Sequence, residues 1–282
     1  MMMARPNPTA GAHDDEVLLS AFARLERTLA PGTGYGAGET QVFLGLGHSE
    51  RIADYWERFG TGRVGESSAS AFFTDPERTT QLDLGLRREG PRAALSVALF
   101  AAQHKDYILI DARPEDRALP AVVTRNVDAV SLGGEVDYTQ RLGEAWQLTS
   151  TLAYSWGRNR TDGTALAQMP PLEGRVALSW RQGPVTLGGM VRLVADQDRV
   201  DLGAGNIVGQ DFGRTDGFAI ASLNGHWQLR EGTAVSLGVD NLFDTAYAEH
   251  LSRSGADVTG FDPIAQLPEP GRTLWLKLDA RL

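Results

Sequence analysis

Apolar and polar residues alternate strictly at the carboxyl end of the chain. Residues 271–282 read GRTLWLKLDARL, in which positions 274, 276, 278, 280 and 282 are apolar and most positions between them are polar. A period of two belongs to a β-strand, whereas a helix repeats every 3.6 residues. The pattern predicts a terminal strand with one wholly apolar face. That face must lie against either a protein core or a lipid bilayer.

The same alternation recurs along most of the chain. It is clear over residues 82–86, 130–138, 146–156, 176–180, 185–193, 219–229 and 235–239, and weaker over 39–48 and 93–110. Residues 16–29 fit a helix or a strand by pattern alone, and the strands around them favour a strand. The count is about eleven strands, and no stretch of the sequence approaches the roughly 18 consecutive apolar residues of a membrane-spanning helix.

Short and long connections alternate between these segments. The short ones contain Gly or Pro, as tight turns do, and lie at residues 89–91, 141–144, 182–184 and 230–232. The long ones cover about residues 51–77, 111–126, 158–171, 196–212 and 246–270. A meander with short turns at one end and long loops at the other is typical of outer-membrane barrels. We therefore predict an all-β fold, an antiparallel transmembrane β-barrel segment.

The second face of the predicted strands favours a barrel over a soluble sandwich. It carries mostly Ser, Thr, Gly, Ala, Asn and Gln, whereas the exposed face of a soluble sheet collects long charged side chains. Aromatic residues cluster toward strand ends, as in the girdles of membrane barrels, at Tyr138, Trp146, Tyr154, Trp156, Trp180, Trp227 and Trp275. The alternative is a soluble all-β ligand-binding module whose core these aromatic residues cap.

Composition and charge narrow the classes of function. The net charge of −9 argues against a nucleic-acid partner, because phosphate binding needs a basic surface. Cysteine is absent, which excludes disulfides and thiolate metal sites. The sequence lacks GxSxG, P-loop and HExxH motifs, so we expect neither an enzyme nor a cofactor. The first residues, MMMARPNPTAGAHDDE, contain no signal peptide and by themselves would indicate a cytoplasmic protein.

One segment near the carboxyl end resembles a known family. Residues 240–247 read DNLFDTAY, and they are followed by a long connection, by PGR at residues 270–272 and by the terminal strand. This order is similar to the last two strands of TonB-dependent outer-membrane receptors. The sequence also resembles other barrel strands of this family at residues 79–86, 126–138 and 170–180.

Further stretches are most similar to the copper receptors within this family: GLGHSER at residues 45–51, DYWER at 54–58 and EHLSRS at 249–254. The resemblance implies a barrel of about 22 strands with a plugged lumen, in the outer membrane of a Gram-negative cell. It implies energised uptake of a scarce metal, with outer-membrane lipid, the TonB complex and the barrel-assembly machinery as partners. Copper is the expected ligand, and a siderophore receptor is the alternative within the family.

Receptors of this family are several hundred residues long. We therefore expect residues 16–282 to form the C-terminal part of such a barrel, and residues 1–15 to be disordered or a residual loop. The chain would then be a fragment without the signal peptide, TonB-binding segment, plug and first half of the barrel, and its lack of a signal sequence would follow. Eleven strands leave two unpaired edges, which are costly in lipid. We expect that the chain alone does not make a native receptor.

The candidate site residues form three groups. Copper would need soft Met or His ligands here, and the candidates are His48, His250, Met169 and Met190. Charged residues expected in the lumen, where they face the plug and ligand path or pair across neighbouring strands, are Glu135, Asp137, Arg175, Arg192 and Asp240. The insertion signal is expected at Trp275 and Leu282, where Leu282 replaces the family's usual aromatic residue. The alternative role for the histidines is ordinary hydrogen bonding at the rim.

Overall fold

The computed structural model describes residues 15–32, 38–59, 74–111, 123–206, 209–252 and 266–280. These ranges form one antiparallel sheet of 12 strands and one short helix, α1 (Tyr55–Phe59). The strands are β1 (Ala21–Gly32), β2 (Gly38–Arg51), β3 (Glu77–Glu89), β4 (Ala93–Asp111), β5 (Val123–Leu142), β6 (Trp146–Asn159), β7 (Glu173–Gln182), β8 (Val185–Val194), β9 (Ala204–Gly205), β10 (Phe218–Arg230), β11 (Thr233–Asp240) and β12 (Thr273–Ala280). The predictions made for residues 1–14 and for Leu282 lie outside the described residues.

The sheet is a meander in which each strand pairs with the next along the chain. The order runs from β1 to β8 and continues through β10, β11 and β12, while the two-residue β9 pairs separately with β4. Eleven strands thus form the main path, which confirms the all-β prediction and the expected count. The strand assigned to the ambiguous residues 16–29 is confirmed from Ala21 onward, whereas residues 16–20 precede the strand. The described part of the chain contains no helix that could cross a membrane.

Connections of different length separate the two ends of the sheet. The hairpins β3–β4, β5–β6, β7–β8 and β10–β11 close within two or three residues at one end, which we call the turn end. Three of these turns place a glycine at positive φ, at Gly143, Gly183 and Gly232, where a side chain would strain the backbone. The long connections gather at the opposite end, which we call the loop end.

The register places the large aliphatic side chains on one face, called the outer face. Leu44 pairs with Leu84, and Leu84 pairs with Leu99, so their side chains form a row across three strands. Each of the three leucines is between 45% and 49% exposed. Contiguous exposed leucine is unfavourable in water and is the expected surface of a strand that faces lipid.

Six of the seven predicted girdle aromatics lie on the outer face, and Trp275 does not. Tyr138, Trp146, Tyr154, Trp156, Trp180 and Trp227 share the register rows of the leucines. Trp275 pairs with Gly238 on the opposite, inner face. A Cβ atom on Gly238 would collide with Cζ2 of the Trp275 indole. The ring therefore covers a glycine on the inner wall, and its assignment to the girdle was wrong.

Tight packing is concentrated at the loop end. Leu109, Val127, Ala167 and Ala204 form a buried cluster against which Tyr107 packs. The cluster joins the extended ends of β4 and β5 to the β6–β7 and β8–β10 connections, and β9 adds two backbone pairs to β4. This packing fixes the connections that surround the candidate site.

Candidate functional site

A concave cavity of about 920 Å³ lies against the inner face. Inner-face residues of β1 to β7 form its wall, and residues 249–251 from the segment after β11 also line it. Its charged lining residues are Arg24, Asp83, Glu135, Glu173, Arg175 and Glu249. The lining thus carries four carboxylates and two guanidinium groups.

Arg192 on β8 joins the wall of this cavity to the segment after β11. Its Nε donates to Oε1 of Glu173 at 2.9 Å, and its Nη2 donates to Glu173 Oε2 at 2.7 Å. The same guanidinium donates to both carboxylate oxygens of Glu249, with Nη2 3.0 Å from Oε2. Such bidentate, charge-assisted pairs are among the strongest hydrogen bonds in proteins. One arginine thus holds two acidic lining residues in place.

Glu173 also neutralises a repulsion within the sheet. Arg175 and Arg192 lie directly opposite each other on β7 and β8, where like charges destabilise a strand pair. Arg175 donates to Glu173 as well, so one carboxylate lies between the two arginines. The predicted lumenal residues Glu135, Asp137 and Asp240 share the inner face but form no ion pair with these arginines in the described part of the chain.

Two residues of the DNLFD stretch hold the loop segment after β11, residues 241–252. Asn241 adopts a positive φ of 49°, and its side-chain amide exchanges two hydrogen bonds of 2.8 Å with the backbone of Thr245. Asp244 accepts a 2.7 Å hydrogen bond from the backbone N–H of Arg272. The stretch therefore closes its own turn and ties it to the start of β12, which is a structural reason for that spacing.

An aromatic contact adds to the Arg192 attachment. The rings of Phe218 and Tyr247 lie 4.3 Å apart, and the Arg192 guanidinium carbon lies 5.2 Å from the Phe218 ring centroid. Loop segment 241–252 is thus fixed to the inner wall by charge and by ring packing together.

His250 is buried in a polar cluster between loop segments. Its Nδ1 lies 3.1 Å from Thr215 Oγ1, and its Nε2 lies 3.7 Å from Asp211 Oδ1 without a hydrogen-bond partner. Burial lowers the pKa of His250, while the negative charge of Asp211 opposes that shift. Asp211 accepts backbone and side-chain hydrogen bonds from Gln168 and a backbone hydrogen bond from Asp201. The imidazole is therefore neutral near pH 7.

The four predicted copper ligands lie in different places. His48 is on the outer face of β2, where Nδ1 lies 2.9 Å from Thr80 Oγ1. Met190 is on the inner face of β8, in the same row as Ser222. Met169 lies in the β6–β7 connection, and only His250 lines the large cavity.

Among the described residues, no group of three or more His, Cys, Asp or Glu side chains is placed to hold a metal ion. A copper-ligand role for His48, His250, Met169 and Met190 therefore stays a prediction.

The sequence analysis missed several residues of the site as candidates. Glu173 precedes Arg175 by two residues on the same strand face, so the alternating pattern could have placed it in the lumenal set. Glu249 was noted only as part of the EHLSRS stretch. Asp211 and Gln168 carried no local signal, because their contact spans 43 residues.

Residues 21–242 match the sequence family described as "TonB dependent receptor-like, beta-barrel". The chain belongs to this family. Its sheet is accordingly part of a TonB-dependent outer-membrane receptor barrel. This agrees with the outward leucine rows and the division into a turn end and a loop end.

Several solved structures and one curated relative are similar to this TonB-dependent receptor chain. The copper transporter OprC is 40% identical, with a TM-score of 0.88 over 97% of this chain and 41% of its own. The ferric enterobactin receptor PfeA of Pseudomonas aeruginosa, in complex with enterobactin, is 21% identical with a TM-score of 0.68, over 93% of this chain and 40% of its own. A curated ferric enterobactin receptor of Pseudomonas aeruginosa is 29% identical over 160 residues, 54% of this chain and 21% of that protein.

The chain therefore spans less than half the length of these relatives. The likeness to PfeA is a likeness of fold, because sequence identity there is low. The likeness to OprC covers nearly the whole chain.

Proposed function

We propose that this chain forms the barrel wall of an outer-membrane receptor for energised uptake of a scarce metal, and that the metal is copper. The observation that supports copper is the 40% identity over 97% of the chain to a copper transporter. The proposed partners are outer-membrane lipid, the TonB complex through a plug domain, and the barrel-assembly machinery. Its role is transport without catalysis, and Trp275 with Leu282 would supply the insertion signal.

The electrostatics of the large cavity agree with a metal cation as ligand. Its lining carries Asp83, Glu135, Glu173 and Glu249 against Arg24 and Arg175. Arg192 pairs with Glu173 and Glu249, so the carboxylates of this wall outside that network are Asp83 and Glu135, which would attract a cation locally. The second candidate, a siderophore receptor, is supported by the 29% identity to a ferric enterobactin receptor over 54% of the chain. The family match leaves no support for the soluble module.

The membrane part of this proposal is tested by charge on either face of β4. Leu99 lies in the middle of the outer leucine rows, and Ala98 is its neighbour on the inner face, where it pairs with Glu135. Arginine on the lipid face of a barrel costs about 2–4 kcal/mol at the bilayer midplane. Leu99→Arg should therefore reduce the amount of protein in the outer-membrane fraction. Ala98→Arg should leave that amount near the wild-type level, and equal loss in both variants would contradict a lipid-facing outer face.

The ligand is tested by metal uptake in cells that carry or lack the gene. Under copper limitation, cells with the gene should accumulate more copper than cells without it, and removal of the TonB system should abolish the difference. The matched measurement replaces copper with a ferric catecholate. A difference seen only with the ferric catecholate would replace copper by a siderophore, and a difference with neither would refute the uptake function.

A further inference from the structure

A concave groove of about 510 Å³ lies on the outer face of the first four strands. Most of its lining residues occupy outer-face positions of the register: Leu25, Arg27, Val42, Leu44, Leu84, Leu86, Val97 and Leu99. The rest of the lining is the inner-face pair Phe43 and Gly85. Among the described residues that line the groove, Arg27 alone is charged. We call this feature the β1–β4 groove.

Arg27 places a positive charge in this aliphatic lining without a counter-ion. It is exposed, and its register partner on β2 is Val42. The neighbouring carboxylate, Glu26, lies on the inner face and pairs with Arg24. Within the part of the chain that the structure describes, Arg27 forms no ion pair. An arginine on a lipid-facing surface is costly away from the membrane interface, so an anion supplied by the membrane would stabilise this side chain.

The register places Arg27 near the turn-end border of the apolar outer face. The next row toward that end contains Thr40, Arg88, Leu95 and Tyr138, about 7 Å farther along the strands. Tyr138 belongs to the girdle, whose aromatic residues lie at the depth of the lipid headgroups. The long arginine side chain can cover apolar surface with its stem and reach that depth with its guanidinium group. Since short turns are periplasmic in outer-membrane barrels, these headgroups belong to the periplasmic leaflet.

We propose that the β1–β4 groove binds an anionic phospholipid of the periplasmic leaflet, with Arg27 as the contact to its phosphate. Arginine offers planar, paired donors that match phosphate oxygens. Arg88 adds positive charge at headgroup depth, and positive charge at a membrane surface attracts anionic lipid. The aliphatic lining would hold an acyl chain of the same lipid, so both parts of the groove match both parts of one ligand. This proposal rests on the membrane placement proposed above.

The experiment titrates the full chain, folded in detergent, with phosphatidylglycerol and with phosphatidylcholine of the same acyl chains. Bound lipid is counted by native mass spectrometry at two salt concentrations. The wild type should prefer phosphatidylglycerol, and added salt should reduce this preference. Arg27→Gln should weaken phosphatidylglycerol binding about fivefold. Arg27→Lys keeps the charge but loses the paired donors, so it should give a smaller loss.

Two control variants separate the groove from general effects of charge and bulk. Arg181→Gln removes an exposed arginine from the inner face of β7, also near the turn end, and should leave lipid binding unchanged. Val42→Trp fills the groove beside Arg27 without changing the charge, so it should reduce phosphatidylglycerol binding. Val176→Trp places the same ring on the outer face of β7, outside the groove, and should have no such effect.

Several results would overturn the lipid site. Equal binding of both lipids, or an equal loss in Arg181→Gln, would remove the role of Arg27. Displacement of the lipid by inorganic phosphate at the same concentration would assign Arg27 to a free anion, and a dimer that Val42→Trp abolishes would assign the groove to a second copy of the chain. A chain without β-structure in detergent and in vesicles would refute the proposed membrane placement, whereas a folded chain without lipid preference would overturn the groove alone.

Discussion

Arg192 connects Glu173 on the inner wall to Glu249 in loop segment 241–252. Loss of its side chain should have the largest local effect on the cavity. Replacing Arg192 with glutamine removes the donors that reach Glu173 and Glu249. Glu173 keeps Arg175 as a partner, whereas Glu249 keeps no ion pair in the described part of the chain. We therefore expect Arg192→Gln to release loop segment 241–252 from the inner wall, while the strands remain paired.

The size of the effect follows from burial. The side chain of Arg192 is 14% exposed, and those of Glu173 and Glu249 are 24% and 31% exposed. Removing one partner of a fully buried ion pair costs about 3–5 kcal/mol, and exposed pairs contribute at most about 1 kcal/mol. Partial exposure places Arg192→Gln between these values, at about 2 kcal/mol. Since 1.4 kcal/mol is about tenfold in an equilibrium constant, the segment should open about 30-fold more often.

Hydrogen–deuterium exchange measures this opening directly. The backbone amides of residues 245–251 should exchange about 30-fold faster in Arg192→Gln, whereas amides in the middle of β8 should keep their wild-type rates. Arg175→Gln is the matched control, because Arg175 is 52% exposed and, among the described residues, its ion pair is with Glu173 and not with Glu249. Glu249→Gln should resemble Arg192→Gln, and the double variant should open little further, since both remove one interaction.

Unchanged exchange in Arg192→Gln would refute this reasoning. The segment would then be held by the Phe218–Tyr247 ring contact and by the Thr215–His250 contact. Faster exchange throughout β8 would also contradict it, because it would show general unfolding instead of local release.

Two further predictions concern the inner wall and the loop end. Gly238→Ala should lower the free energy of unfolding by about 1–3 kcal/mol in detergent melts, because the new Cβ collides with the Trp275 ring. Gly47→Ala, with open space around it, should change the free energy of unfolding little. Burial lowers the pKa of His250 below its ordinary value of 6.5. The stability that neutral His250 gives the loop is therefore complete above pH 6.5 and is lost as the pH falls through the lowered pKa. Acid should therefore speed amide exchange around His250 in the wild type, and His250→Gln should show no such pH dependence.

The faces of the strands could be predicted from the sequence because alternation fixes them. Once strands pair in register, each apolar position of a row falls on the same side, so Leu84 and Leu99 meet without any knowledge of the loops. The same rule placed Arg192 and Arg175 together on the inner face. A period of two is a local property, and it survives wherever the strand continues unbroken.

Contacts between distant segments could not be predicted in this way. Arg192 and Glu249 are 57 residues apart, and no periodicity links a strand to a loop. Trp275 was assigned to the girdle by residue type, although its position in the alternation already put it on the inner face. Its true contact, over Gly238, depends on the β11–β12 register. Residue type alone therefore predicts the face of a strand less well than the position of the residue in the alternation does.

The directions of the two outermost strands, β1 and β12, limit how this sheet can close into a barrel. β1 begins where Ala21 pairs with His48 at the loop end, and β12 begins where Thr273 pairs with Asp240 at the same end. Both edges of the described sheet thus run from the loop end to the turn end, as an odd number of antiparallel strands requires. If β1 paired directly with β12, the two strands would be parallel. In a ring made from two copies of this sheet in the same orientation, the strands that pair between the copies would also be parallel. Antiparallel closure in a bilayer, where unpaired backbone groups are costly, therefore requires an odd number of further strands.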